Sequence, residues 1–427
     1  MPIPREDWGR DIPSKAPFVR REEDGMPAPT DVNAGRSARV GLAFVGVMLI
    51  AVNLRVSFVS VGPLLNDIST DLGLSSAGAG LLTGLPLIAF AVFSPVAPVF
   101  ASRLGLDRAL WASLLLLAAG IVLRSVPLAG LIWAGTGLIG IAIAFLNVLV
   151  PSLVKRDFPG RVSQVTGSYT ATQAAVAALG AALVVPIAQM PQAGWRVALG
   201  IWAGLALVAV AALLPSLLRQ DEQQRVPEPH RGPYLSPWRS VLGWQVTFFM
   251  GLQSVAFYVL MAWLPTIEQD QGVSEAAAGT HLSIFLLVSV GASLGTGALL
   301  HRFADQRMIA LTASVLALIT YAGLAFAPGL TMLWVVAGAL GCGSLIVIAL
   351  SLFSLRTSHH SQAAALSGMA QSIGYALGAA GPVVFGALRD WSGGWTLPLA
   401  ATAGSMALLC FTALLSGRNR LIQDVRP

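Results

Sequence analysis

A lone arginine lies deep in an apolar segment of this sequence, where its charge needs a partner. Arg55 is the one Lys, Arg, Asp or Glu that we place well inside a predicted helix, because all twenty carboxylates fall in tails, loops or helix ends. An arginine at the centre of a bilayer costs from about 2.5 to more than 10 kcal/mol unless it faces a wet cavity or a counter-charge. The planar guanidinium suits an oxyanion or a linear anion. Structural packing is the alternative role.

Polar side chains follow one another at helical spacing in several apolar segments. In lipid such a stripe either forms hydrogen bonds between neighbouring helices or lines a cavity. The larger polar groups of Gln and Tyr need partners and can hydrogen-bond a solute, so they are the better candidates for a binding site. The predicted substrate-binding residues are Arg55, Asn53, Asn147, Gln173, Gln253, Tyr258, Gln371 and Tyr375.

Proton-coupled transport commonly uses a carboxylate inside the membrane, and the predicted helices contain none. His281, near the start of the eighth predicted helix, is the one titratable candidate for a proton-linked role, since an imidazole changes charge near neutral pH. A packing or interfacial histidine is the alternative. Facilitated diffusion, anion exchange and proton co-transport without a dedicated carboxylate all remain open.

Two stretches imitate catalytic or cofactor motifs. Gly135–Gly140 matches GxGxxG and Gly291–Gly295 matches GxSxG, but each lies inside an apolar helix and not at a strand-to-helix turn. We interpret both as small residues that allow close helix contact. Cys342 and Cys410 lie in separate apolar helices without metal-ligand spacing. We therefore predict no catalytic residue, no metal and no cofactor.

The elements that position these residues are membrane helices. The chain is 55% apolar and 11% charged, and apolar stretches exceed the roughly 20 residues that cross a bilayer. Backbone groups in lipid must be satisfied within the segment, so an all-α integral membrane protein is expected. The predicted helices cover about 40–65, 77–101, 108–125, 128–153, 162–188, 194–217, 241–265, 277–301, 307–327, 329–354, 362–388 and 394–416.

An internal repeat divides these helices into two sets of six. Residues 71–80 reappear 199 positions later as residues 270–279, and the loop Arg103–Arg108 recurs at the same offset as Arg302–Arg307. Two parallel six-helix repeats are the plan of major facilitator transporters, whose sites lie between the halves. We predict bundles at 40–217 and 240–417, a cytoplasmic linker at 218–239 and cytoplasmic tails at 1–39 and 418–427. At this offset Arg55 corresponds to Ser254, so the N-terminal bundle alone supplies the buried positive charge.

The sequence pI is about 9.9. We attribute the excess of basic residues to the orientation of the protein in the membrane, by the positive-inside rule, and not to a nucleic-acid partner. Most of the 26 Lys and Arg fall in cytoplasmic segments if both termini are inside, and residues 1–39 lack the apolar core of a signal peptide. The lipid bilayer and a small, anionic solute are therefore the expected partners. We predict a bacterial-type inner membrane protein that works as a monomer.

The two repeated loops, Arg103–Arg108 and Arg302–Arg307, have two alternative roles. They either pair with helix ends and stabilise one conformation, or they carry solvated charge without a structural role.

Four groups of residues carry a resemblance to a known family. They are Asn53-Leu-Arg55 with Val61-Gly-Pro-Leu-Leu65, Pro151-Ser-Leu-Val-Lys155-Arg156, Gly251-Leu-Gln-Ser254 with Tyr258 and Ala262-Trp-Leu-Pro265, and Ser367-Gly-Met-Ala-Gln371-Ser-Ile-Gly-Tyr375. Together they resemble the cyanate and nitroimidazole permease family (CynX/NimT) of the major facilitator superfamily. The resemblance implies import of cyanate, or passage of a nitro-heteroaromatic compound, by alternating access.

Arg55 suits either solute. Uptake of a small anion such as cyanate is the leading expectation. Arg55 is an isolated positive charge, and the predicted helices contain no carboxylate that could pair with it. Transport or efflux of a nitroimidazole-like compound is the alternative, since aromatic residues such as Phe257 and Trp263 accompany it. A membrane enzyme or receptor is the weakest reading, because no cluster of His, Asp and Glu lies in the membrane and no sizeable soluble domain exists.

Overall fold

The computed structural model describes residues 29–422 apart from 75, 129 and 224–234, and these residues contain helices and no strand. The helices form twelve spans, counted here along the chain. They are Pro29–Val59, Ser76–Phe93 with Ala97–Leu104, Leu106–Ser125, Leu131–Asp157, Val162–Ala188, Gly194–Gly200 with Trp202–Gln223, Val241–Asp270, Glu275–Leu300, Arg307–Phe326, Thr331–Leu355, His360–Ser392 and Thr396–Ser416. A short helix, Leu65–Leu72, follows span 1, and single 3-10 turns lie at Gly62–Leu64, Pro237–Arg239 and Pro328–Leu330.

Within the described residues, eleven helices are long and apolar enough to cross a membrane, or twelve if the bent second span counts as one. That span bends by 61° between its two helices. Pro95 lies in the break and lacks the N–H that would bond the Ala91 carbonyl. The bend therefore follows from the sequence.

The same helix neighbours occur in both halves, taken as spans 1–6 and spans 7–12. Spans 3 and 4, 2 and 4, and 3 and 6 pack together, as do spans 9 and 10, 8 and 10, and 9 and 12. Between the halves, span 5 packs on span 8 and span 11 packs on span 2. Adding six to both span numbers of a pair, and counting on from 1 after 12, gives another pair of this set. The sequence repeat is therefore also a repeat of helix packing. All packing described here concerns Ala43 and later residues, which cluster as one unit.

The repeat extends to single hydrogen bonds. Arg124 on span 3 is 1% exposed, and its Nη1 donates to the Ser57 carbonyl near the end of span 1 at 2.8 Å. In the second half, the hydroxyl of Tyr321 on span 9 donates to the carbonyl of Ala256, 199 residues after Ser57, at 2.7 Å. Different side chains thus satisfy equivalent carbonyls. Arg124, placed by sequence at a helix end, is buried inside the protein.

The two motif-like glycine stretches have different environments. A Cβ on Gly135 would lie 2.4 Å from backbone nitrogen of span 3, and one on Gly140 would lie 2.7 Å from a side chain of span 2. The packing interpretation is therefore correct there. No atom lies within 4 Å of a Cβ built on Gly291 or Gly295, so the expectation of close helix contact is wrong for those two.

The predicted domain bounds stay predictions. Residues 1–28 of the predicted tail and residues 224–234 of the predicted linker lie outside the described residues, and so do residues 423–427. The helix of span 1 begins at Pro29, before the predicted 40, and span 6 continues to Gln223, into the predicted linker.

Candidate functional site

One cavity lies where the two halves meet, and it encloses about 430 Å³ of empty space with its mouth included. Spans 1, 2, 4 and 5 contribute from the first half, and spans 7, 10 and 11 from the second. The lining residues are Leu54, Arg55, Phe58, Phe90, Asn147, Val150, Tyr169, Gln173, Tyr258, Ile346, Leu350 and Tyr375.

Arg55 supplies the charge of this cavity. Its guanidinium carbon lies 5.8 Å from the centre of the Phe257 ring, on span 7 of the other half. Among the described residues, none of the ion pairs or hydrogen bonds involves the Arg55 side chain, which is half-buried. A cation–π contact contributes about 0.5–2 kcal/mol and leaves the N–H donors of the guanidinium free. Those donors can bind an oxyanion.

Aromatic rings lie at the cavity in two groups, which together we call the aromatic wall. Phe58 packs edge-on against Phe90 with ring centres 5.9 Å apart, and Phe90 lies 5.1 Å from Tyr375. The rings of Phe257 and Tyr258 are 5.5 Å apart. The wall crosses from the first half to the second, so any change in the relative position of the halves changes the shape of the cavity.

The structure brings together five of the eight residues predicted to bind substrate: Arg55, Asn147, Gln173, Tyr258 and Tyr375. The other three lie outside the lining, and the NH2 group of each donates within the protein, whereas the amide oxygens of Asn53 and Gln371 are buried without a partner among the described residues. The Asn53 amide donates to the carbonyls of Leu49 and Leu205, which joins span 1 to span 6. The Gln253 amide contacts Met250 Sδ and Ser254 Oγ within its own helix.

Gln371 is the third of these residues, and its contact has a specific cause. Pro151 lacks the N–H that would bond the Asn147 carbonyl four residues earlier. The Gln371 amide donates to that carbonyl at 2.9 Å and to Ser367 Oγ at 2.7 Å. The next residue, Ser372, donates to the Ala91 carbonyl that Pro95 leaves free. Span 11 thus donates to the carbonyls that Pro95 and Pro151 leave free in the first half.

Sequence reasoning missed part of the lining, namely Tyr169 and the aromatic pair Phe58 and Phe90. Thr166, Thr170 and Gln173 form a polar stripe at helical spacing on span 5, and Tyr169, which directly precedes Thr170, lies one position outside that face. The repeat carried a usable signal, because Phe58 corresponds to Phe257 at the 199-residue offset. Both rings lie beside Arg55.

The halves are joined at the basic end, which we define as the end where spans 2, 4, 8 and 10 finish. Lys155 Nζ on span 4 donates to the carbonyl of Ser354, in the last turn of span 10, at 2.7 Å, and to that of Thr357, just beyond the span, at 2.6 Å. Ser152 donates to the carbonyl of His360 at 2.6 Å. A lysine on the C-terminal carbonyls of another helix is a favourable charge–dipole contact.

Close backbone packing accompanies these bonds. A Cβ on Gly167 of span 5 would lie 2.9 Å from the Gly297 Cα of span 8. Likewise, a Cβ on Gly368 of span 11 would lie 2.8 Å from the Ser94 carbonyl oxygen of span 2. The structure is therefore closed between the halves at the basic end.

The repeated charged loops bind helix ends within each half. Asp107, in the first turn of span 3, pairs with Arg156 near the end of span 4, with one oxygen 2.9 Å from Nη2. Arg356 lies 200 residues after Arg156, one position from the repeat offset, and it donates to Gln306 and to the carbonyls at the end of span 12. Burial lowers the pKa of Arg356 to about 10, so it stays charged at neutral pH. These pairs do not bridge the halves.

A buried carboxylate corrects one expectation. Span 7 was predicted to end at 265, but its helix continues to Asp270 and includes Glu268, whose side chain is fully buried. The Nδ1 of His281 lies 3.1 Å from Glu268 Oε1. The expectation that the helices contain no carboxylate is therefore wrong, and His281 has an acidic partner. Among the described residues no cluster of three or more His, Cys, Asp or Glu that could hold a metal ion occurs.

A twelve-span architecture with a cavity between two repeated halves defines a secondary transporter. The sequence matches the model of the Major Facilitator Superfamily over residues 43–382, so the chain belongs to that superfamily. Its fold is similar to that of the proton:xylose symporter XylE, with a TM-score of 0.73 at 13% identity over 91% of this chain and 98% of that one.

Curated relatives narrow the family. The chain is 41% identical over 378 residues to the 2-nitroimidazole transporter of Escherichia coli strain K12, covering 88% of this chain and 96% of that protein. It is 29% identical over 374 residues to the cyanate transport protein CynX of the same strain, covering 86% and 94%. The chain is thus a member of the cyanate and nitroimidazole transporter family, as the motifs predicted. It is a multi-pass membrane transporter of a small molecule and not an enzyme.

Proposed function

We propose that this transporter carries a small planar aromatic solute with a nitro or anionic end, such as 2-nitroimidazole. The observation that carries the proposal is an arginine without an acidic partner among the described residues, inside a cavity walled by aromatic rings. A guanidinium binds paired oxygens, and stacked rings bind a planar face. The E. coli 2-nitroimidazole transporter, at 41% identity, is a relative that supports this choice.

A small linear anion such as cyanate is the second candidate. Arg55 suits it equally, and the cavity is small. Cyanate does not need the aromatic wall, however, because it presents no ring face. The number of rings around Arg55 therefore favours the aromatic solute over the sequence-based expectation of cyanate uptake.

The transport cycle we infer is alternating access between the halves. The site lies between them, and the bonds of Lys155 and the contact of Gly167 with Gly297 close one end. By the positive-inside distribution this basic end is cytoplasmic, in a bacterial inner membrane with both termini inside. Because one chain supplies both halves of the cavity, we propose that it works as a monomer.

Uptake into proteoliposomes tests the proposal, with 2-nitroimidazole and cyanate offered in both directions. We expect Arg55→Ala to lower transport at least tenfold, since it removes a charged hydrogen bond of about 1.5–3 kcal/mol. Arg55→Lys keeps the charge without the planar fork and should retain part of the activity. Arg161→Ala, in the loop after span 4, is the control and should transport normally. Near-normal transport by both Arg55 variants would sink the proposal.

Phe90→Leu distinguishes the two substrates. Loss of one ring contact is worth about 0.5–1.5 kcal/mol, so the KM for 2-nitroimidazole should rise about three- to tenfold. The KM for cyanate should stay unchanged. An equal effect on both solutes would contradict an aromatic-face site and favour the small-anion candidate.

A further inference from the structure

Glu268 and His281 form a buried acid–base pair away from the cavity. Glu268 lies in the last turn of span 7, and its side chain is 0% exposed. His281 lies near the start of span 8, is 23% exposed, and places Nδ1 3.1 Å from Oε1 of the carboxylate. The other oxygen, Oε2, is buried and has no hydrogen-bond partner in the described structure. The pair thus joins a fully enclosed group to a partly exposed one.

The unpartnered oxygen limits the charge states of the pair. An ionised carboxylate beside a neutral imidazole would be a buried charge with one bare oxygen, which is costly. One proton removes that cost, whether it sits on the carboxyl and bonds Nδ1 or sits on the imidazole and bonds Oε1. In both forms the pair is neutral. A second proton makes it cationic, so the two groups titrate as one unit.

Few other charges compete with this pair. The described titratable side chains at this end of spans 7, 8 and 11 are Asp270, Arg389 and Asp390, besides the pair itself; the side chain of Glu275, the first residue of span 8, lies outside the described part. Arg389 lies 3.4 Å from Asp270 Oδ2, and both side chains are more than 40% exposed. Asp390 is 78% exposed and 3.4 Å from the same arginine. Span 12 begins at Thr396 and span 10 at Thr331, and neither carries a charged residue in its first turns. The protons on Glu268 and His281 therefore set the buried charge here.

Both helices of the pair reach functional parts of the molecule. Span 7 carries Phe257 and Tyr258 beside Arg55, and Pro265 lies between them and Glu268. A proline inside a helix removes one backbone hydrogen bond and permits bending there. Span 8 carries Gly297, which packs against span 5 at the basic end. A change of charge at the pair thus acts on the helices that line the cavity and close the opposite end.

We propose that Glu268 and His281 together are a proton-binding site that takes up and releases one proton in each transport cycle, coupling solute movement to a pH gradient. The coupling rests on the proposed function, whereas proton binding by the pair does not. Only N–H and O–H bonds change: His281 takes a proton from bulk water at its exposed edge, the proton on Nδ1 passes to Oε1 of Glu268, and the same steps run in reverse on release.

Proteoliposomes carrying the full chain test the coupling, with 2-nitroimidazole as probe and protein-free vesicles subtracted. Under an imposed pH gradient we expect the wild type to concentrate the probe inside the vesicles. Accumulation by Glu268→Gln should be at least tenfold lower than by the wild type. Exchange of probe at equal pH should stay within twofold, because it needs no net proton movement. Glu268→Asp should retain accumulation with a shifted pH profile. Asp270→Asn, a carboxylate in the same helix turn, is the matched control and should accumulate normally.

A second measurement needs no solute. Infrared difference spectra of the purified protein between acidic and alkaline pH should show a carboxyl C=O band that is absent in Glu268→Gln and present in Asp270→Asn. The coupling is overturned if Glu268→Gln accumulates the probe as well as the wild type does, or if accumulation by the wild type does not depend on the pH gradient. Absence of the band from the wild type overturns the proton site. If the wild type does not transport the probe at all, the proposed substrate fails while the infrared result still decides the proton site.

Discussion

Two arginines of the first half lie within apolar spans and have different roles. Arg55 is half-buried, faces a cavity and contacts the Phe257 ring. Arg124 is 1% exposed and donates to the Ser57 carbonyl, which belongs to the last turn of span 1. A carbonyl at a helix end lacks an N–H partner, so a buried donor there stabilises the helix. The surroundings of the side chain, and not its type, distinguish the candidate binding residue Arg55 from the structural residue Arg124.

The same contrast holds for two asparagines and gives a prediction. Asn147 lines the cavity, whereas Asn53 joins span 1 to span 6. Asn147→Ala should raise the KM for the transported solute several-fold with unchanged thermal stability. Asn53→Ala should leave the KM unchanged and lower stability by about 1 kcal/mol, as for other interhelical hydrogen bonds in membranes. Uptake kinetics and thermal unfolding in detergent measure both. The reverse pattern would contradict this assignment of the two side chains.

At the scale of helices, prolines determine where hydrogen bonds can form between the two halves. Pro95 and Pro151 each free a carbonyl on a span of the first half, and Ser372 and Gln371 of span 11 donate to them. A free carbonyl is accessible to another helix only because its own helix cannot use it. Gln371 thus bonds, across the interface, the Asn147 carbonyl that Pro151 frees.

A double-mutant cycle tests this pairing. Gln371→Leu alone should lower stability by about 1–3 kcal/mol, because the Asn147 carbonyl loses its donor. Pro151→Ala restores a backbone N–H to that carbonyl, so adding Gln371→Leu to Pro151→Ala should cost much less. Coupling of about 0.5–3 kcal/mol is expected from thermal unfolding of the four proteins. Additive effects would show that the two residues act independently.

For the whole molecule, the closed basic end is one position of a cycle. Closure depends on glycine at Gly167 and Gly297, where the backbones of spans 5 and 8 touch. These helices belong to different halves, so anything that holds them apart prevents this state.

Gly167→Val should therefore block transport. Its Cβ would lie 2.9 Å from backbone atoms of Gly297 and Ser293, which cannot move aside as a flexible side chain does. We expect at least a tenfold loss of solute uptake with normal insertion and a single symmetric peak in size-exclusion chromatography. Gly295→Val is the matched control, because its Cβ meets open space on span 8. Normal uptake by Gly167→Val would contradict a required closure at this end.

Composition and repeat were enough to predict the architecture. Long apolar stretches determine helices because lipid offers no hydrogen bonds to the backbone, and the 199-residue offset determines that two halves share one plan. Arg55 was identifiable as the charge of the site for the same reason, since an isolated cation in an apolar helix requires a cavity or a partner.

Only the tertiary structure decided which polar residues face that cavity. Helical spacing places Gln371 and Tyr375 on one face of span 11, but it does not say that the first meets the Asn147 carbonyl and the second meets Phe90. Glu268 was missed because Pro265 was taken as the end of span 7, although the helix continues past it. Local sequence determines which residues share a helix face. The neighbours of that face come from distant segments, and they decide whether a side chain binds solute, a proton or the protein itself.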